Sequence, residues 1–219
     1  MNAKLEKEKE GNKWFLHFEE EQEVLLKGLL FSRLLGGDGG SVHRNYKTLG
    51  FYAKNVVNLR EKILGSGSGS GSGNSLNYND FLRISECIGV QLFYLEKIGW
   101  TFYGLCLDEI LVIDDCLFIF IGTSFLKKIS EDGNISFTAP FKKVENGKSG
   151  KLFLSSEVIA IRELPGFINY KSVYSSLGKL LLYLVELGVE EGNGIESIRD
   201  TKLYWFIQRS IHDKILLLV

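Results

Sequence analysis

Lys127, Lys128, Lys142 and Lys143, with Phe137 and Phe141 among them, carry the most suggestive chemistry in the chain. Cations interleaved with aromatic rings can hold single-stranded nucleic acid, the charges meeting phosphates and the rings stacking on bases. The same residues also describe a solvated loop anchored by its Phe side chains, which is the commoner use of such a pattern. Phe125, Lys148 and Lys151 extend the candidate partner-binding segment to 125–151. A second cluster, Asp108, Glu109, Asp114 and Asp115, flanks a short apolar run. Carboxylates so spaced can share a cation, but a hairpin turn with solvated acids is the simpler reading.

Other chemistry is poorly provided for. His17, His43 and His212 are isolated, and structural zinc sites are usually marked by paired ligand spacing, so we expect no metal site. Cys87, Cys106 and Cys116 are an odd, scattered set that reads as reduced thiols rather than a disulfide framework. Ser155, Ser156 and His212 form no recognisable nucleophile motif, and no Gly-x-Ser-x-Gly occurs. Leu35 to Gly40 lacks the glycine spacing of a phosphate loop and reads as a helix terminator, and Gly147-Lys148-Ser149 as loop. No cofactor is implied.

The whole chain has 219 residues, with 26 basic against 27 acidic side chains and a net charge of −1. That balance supplies no long-range attraction to nucleic acid or an anionic membrane. No apolar run reaches the roughly 18–20 residues a bilayer demands, and Met1 to Glu10 is charged. We therefore expect an intracellular, cytoplasmic protein with no membrane partner. Alanine is scarce beside abundant Leu, Ile, Lys, Phe and Asn, a composition that suits an AT-rich genome such as some viruses have.

The elements that must position these residues fall on either side of Gly65 to Gly73, which reads GSGSGSGSG. No packing demand produces such an alternation, so it reads as an engineered linker. Its typical span is about 17 Å, which requires Leu64 and Asn74 to lie close together. It either replaces a long loop or fuses two halves of an obligate complex; the length and regularity of the first part favour loop replacement.

Within 1–64, Lys4 to Glu10 reads as a solvated lead-in. The apolar spacing predicts helices over 14–35 and 46–64, an N-terminal helical pair with one apolar seam. Within 74–219, Asn79 or Asp80 can cap a helix to about Lys97, with Phe81, Ile84, Ile88, Leu92 and Leu95 on one face. Residues 110–113 and 116–121 read as buried strands joined at Asp114-Asp115. Residues 122–154 lack a period and read as a surface excursion. Residues 155–161 suggest a short helix, 170–187 a helix apolar all round, and 200–218 a final amphipathic helix.

That order, together with local matches, resembles the C-terminal lobe of the protein kinase fold over about 81–219. Asp108-Glu109-Ile110-Leu111-Val112-Ile113-Asp114-Asp115 resembles the stretch where the kinase catalytic loop enters its small hairpin. Ser155-Ser156-Glu157 stands where kinases carry Ala-Pro-Glu, and Ser176-Leu177-Gly178 resembles part of the central apolar helix. In the same register Phe102-Tyr103-Gly104 replaces His-Arg-Asp, Glu109 replaces the metal-holding Asn, and Phe120-Ile121-Gly122 replaces Asp-Phe-Gly. Val173 stands where the family has Asp, and the Arg that pairs with the activation-segment Glu has no clear match, Arg209 being only nearby. The first part shows neither a Gly-rich strand-turn-strand nor a Val-Ala-Ile-Lys strand.

The resemblance implies a degenerate, pseudokinase-like lobe without phosphoryl transfer. The sequence expectation is thus a mainly α fold with a small β-hairpin: a kinase C-lobe-like helical domain with an N-terminal helical hairpin packed on it. Its function would be that of a non-catalytic scaffold or adaptor, with another protein as partner. The alternatives are a nucleic-acid-associated, viral factor using 125–151, or two halves of an obligate protein complex joined by the linker.

Overall fold

Trp14, Leu16 and Phe18 alternate with Phe15 and His17, and this period of two wins over the helical reading of the first part. The structure, a computed structural model, describes residues 3–9, 11–31, 35, 41–42, 46–65, 76–140, 151–188 and 194–212. Strands β1 (Ala3–Lys7) and β2 (Lys13–Phe18) form a hairpin, and helix α1 (Glu23–Phe31) follows. Then come β3 (Ser41–Val42), β4 (Thr48–Tyr52), β5 (Val56–Asn58) and α2 (Leu59–Leu64). The first four strands make one antiparallel sheet in the order β1-β2-β4-β3.

After the linker, α3 (Tyr78–Lys97) leads into β6 (Trp100–Phe102) and β7 (Gly104–Cys106), then β8 (Ile110–Ile113) and β9 (Leu117–Phe120). Strands β10 (Leu126–Lys128), β11 (Asn134–Phe137) and β12 (Leu152–Leu154) precede α4 (Ser156–Ala160) and β13 (Gly166–Asn169). Helices α5 (Ser172–Gly188) and α6 (Lys202–His212) finish the described chain. The remaining pairings are β5-β8-β9, β10-β6, β12-β7 and β11-β13, all antiparallel.

About 46% of the described residues are helical and 28% lie in strands, in five small antiparallel sheets. This corrects the expectation of a mainly α fold with a helical hairpin at its N-terminus: the chain is α+β. In 14–35 only α1 is helical, and in 46–64 only α2 is. Lys4 to Lys7 is no lead-in but part of an edge strand, and the described residues of 122–154 contribute three strands.

Other expectations hold closely. Asn77, rather than Asn79 or Asp80, caps α3: its side chain accepts from the N–H groups of Asn79 and Asp80 while the Asp80 carboxylate accepts from the Asn77 N–H. All of Phe81, Ile84, Ile88, Leu92 and Leu95 are buried. Asp114 and Asp115 take φ of 50° and 56°, the left-handed pair that a tight hairpin turn requires. Ser155 caps α4, its Oγ accepting from the Val158 N–H at 3.1 Å.

The two parts share one apolar core, which runs from Leu16 in β2 to Ile207 in α6. A Cβ at Gly28 of α1 would lie 2.9 Å from Leu95 Cδ2, so the missing side chain is what lets α1 approach α3. Polar ties cross the linker as well. Asp114 Oδ1 accepts from the Lys54 and Asn55 N–H groups at 2.7 and 2.8 Å, Arg60 meets Asp108 at 3.1 Å, and Lys62 meets Asp115 at 2.8 Å. Three of the four clustered acids therefore serve to dock 54–62 on the β8–β9 hairpin. Among the described residues no group of His, Cys, Asp and Glu is arranged to hold a metal ion, and no helix is long and apolar enough to cross a membrane. Residues 66–73 of the linker, residues 36–40 and the tract at 147–149 lie outside the described residues, as do the last six of the predicted C-terminal helix.

Candidate interaction site

Phe120 ends β9 with its ring 0% exposed. The ring meets Phe102 edge-on, centroids 4.8 Å apart at 86°, and lies 5.8 Å from Phe125. Tyr103 continues the cluster, 5.2 Å from Phe125 and 5.3 Å from Phe137. Edge-on aromatic contacts of this kind add stability beyond the area they bury. The backbone at the same point is held by a side chain: Gln91 of α3 donates to the Phe120 carbonyl at 2.7 Å and accepts from the Phe120 N–H at 3.0 Å. Residues 102–104, 109 and 120–122 are thus brought together in space, and what they form is a packed aromatic interior.

Glu109 sits against this interior. Its carbonyl accepts from the Ile121 N–H at 2.9 Å, while its Oε2 is buried with no hydrogen-bond partner. A Cβ at Gly122 would overlap both the Phe120 ring and this carboxylate, so glycine is the residue that leaves room for them. Burial, with a contribution from the charge on Asp108, raises the Glu109 carboxyl above its ordinary range. An acid whose folded-state pKa is raised contributes fully below the unfolded value, and that contribution is lost as pH rises through the folded value. Glu109→Gln removes this loss. The variant should melt higher than the parent at neutral pH, with the difference closing in acid; melting curves between about pH 4 and 8 check it.

The basic and aromatic residues singled out above are dispersed by the fold. Lys127 and Lys128 lie on β10, half-buried and exposed respectively. Phe137 lies on β11 with only 1% of its surface exposed, beneath the Lys127 ammonium at 5.3 Å from the ring centroid. Phe125 is buried as well. These rings fill the interior instead of offering a stacking face. Phe141, Lys142 and Lys143 lie outside the described residues. Of the thiols, Cys87 and Cys106 are buried and Cys116 is exposed. Burial pushes Cys106 up to about 11, the state of an inert thiol.

A different surface carries an open cavity of ≈ 410 Å³. It is lined by Glu157 and Ala160 of α4, by Ile161 and Glu163 of the turn that follows, by the whole of β13, and by Asn134. Beneath it lies a small separate core of Ile135, Phe137, Val158 and Ile168. The alternation in β13 turns Ile168 inward and leaves Phe167 64% exposed. Glu157 Oε2 is buried without a hydrogen-bond partner, and no ion pair to Glu157 occurs among the described residues. Sequence reasoning placed Glu157 in the short helix 155–161 but missed the cavity. The available signal was a short apolar run, Phe167-Ile168, directly after Pro165-Gly166. No model of a known protein family matches the chain, and no curated protein matches it.

Proposed function

We propose that this chain is a non-catalytic protein-interaction module on a kinase-like fold, a scaffold or adaptor whose partner is another protein. The observation that carries the proposal is the fate of Phe120. In the kinase register this position holds the carboxylate that binds magnesium; here it holds a buried ring, wedged between Phe102 and Phe125 and fixed through its backbone by Gln91.

Further support comes from both parts of the chain. The β8–β9 hairpin, the capped helix α4 and the largely buried helix α5 follow one another in the order the resemblance requires. The first part, an antiparallel sheet with α1 inserted between its second and third strands, suits a reduced small lobe. A working kinase pairs a Lys of that sheet with a Glu of the following helix. Here Glu23 of α1 pairs with Lys27 on the same helix at 2.5 Å, and Lys13 of β2 lies over the Phe15 and Tyr52 rings. The exposed Phe167 in the lining of the 157–169 cavity supplies an apolar contact suited to a partner protein.

The test is a phosphotransfer assay on the purified chain with Mg-ATP and mixed protein substrates. We expect incorporation no higher than in a protein-free blank. Phosphorylation that disappears when Phe120 or Gly104 is substituted would overturn the proposal.

A further inference from the structure

We infer that the cavity between α4 and β13 receives a partner segment that carries a Lys or Arg between apolar residues, with Glu157 meeting the cation. The inference rests on the interaction reading above and specifies the chemistry of the partner. Among the described residues two acids, Glu157 and Glu163, line the cavity, and no Lys, Arg or His does. Glu157 is the decisive one, because its Oε2 is buried and lacks a hydrogen-bond partner. A carboxylate oxygen in that state bears a desolvation cost that an incoming cation offsets through a charge-assisted hydrogen bond.

Phe167, exposed in the cavity lining, has the chemistry to cover an apolar flank of such a segment. The cavity volume, ≈ 410 Å³, accommodates one long side chain and its neighbours. Among the described residues β13 is paired only with β11. Main-chain pairing of an extended peptide along a strand edge is a mode in which backbone bonds supply affinity and a side-chain pocket supplies selectivity.

The experiment uses the whole chain and fluorescent peptides with a fixed Leu/Val flank and Arg, norleucine or Glu at the centre, read by anisotropy. The Arg peptide should bind roughly tenfold more tightly than the norleucine peptide, the scale of one charge-assisted contact. Glu157→Gln should abolish that preference, Glu157→Lys should transfer it to the Glu peptide, and Phe167→Ala should weaken Arg and norleucine peptides alike. Because the reversal by Glu157→Lys is a gain of binding, a loss of folding does not imitate it. Equal binding of Arg and norleucine peptides overturns the role of Glu157 while leaving an interaction surface. Binding of none of the peptides overturns the inference; the phosphotransfer assay above then decides separately whether the parent reading survives.

Discussion

Phe120→Ala should lower the melting temperature more than any other single truncation around the 102–122 junction. The ring is wholly buried, and its removal leaves a void bordered by Phe102 and Phe125, side chains held from behind by Tyr103 and the β6–β10 pair. Truncations of this type cost about 3–5 kcal/mol, the lost transfer energy plus the residual cavity. For a chain of this size that corresponds to a fall of ~6–20 °C. Phe120→Leu, which refills most of the space, should recover much of the loss. A Phe120 ring lying loosely over an open cleft would instead give a shift near zero for both variants.

Gln91→Leu should produce a loss of similar size by a different route. Leu matches Gln in bulk and suits a fully buried position on α3, so packing is largely retained. What disappears is the pair of hydrogen bonds to the Phe120 N–H and carbonyl. Each orphaned buried group costs about 1–3 kcal/mol, so the variant should lose ~2–6 kcal/mol. Gln91→Glu separates the two bonds. Its carboxylate can accept from the N–H but donates to the carbonyl only when protonated, so its deficit should shrink as pH falls. Equal stability of Gln91→Glu across pH would mean that the carbonyl is satisfied elsewhere.

The parts of the fold that were legible in the sequence are those whose pattern is self-contained. Helix α3 shows an apolar face over about four turns, although its cap falls at Asn77, ahead of the expected Asn79 or Asp80; α5 is apolar almost all round; the β8–β9 hairpin combines β-branched runs with an Asp-Asp turn. The first part was misread because Leu25, Leu26 and Leu29 of α1 extend a helical spacing into Trp14 to Phe18, where alternation is the true period. Strands of three or four residues, such as β6, β7, β10 and β12, hold too few positions for a period to show, and pairing with distant partners defines them.

The candidate site divides in the same way. Phe120 and Glu157 were visible as residue types, an apolar ring at the end of a buried strand and an acid in a short helix. That Phe125 and Phe137 would fill the interior, leaving Lys127 to lie over a buried ring, depends on β10 and β11 crossing the same core. The cavity beside Glu157 exists only because β13 returns to pair with β11, a contact that no local spacing announces.

Native-state hydrogen exchange at Phe120 and Ile121 tests the central claim, that the 120–122 segment is structural interior, most directly. The Phe120 N–H is bonded to Gln91 and the Ile121 N–H to the Glu109 carbonyl. Both should exchange with the slowest amides of α3 and α5, through global unfolding alone, and added Mg-ATP should leave them unchanged. Exchange by local opening at a much lower free energy, or protection that changes with Mg-ATP, would identify a mobile nucleotide-responsive segment and contradict the account.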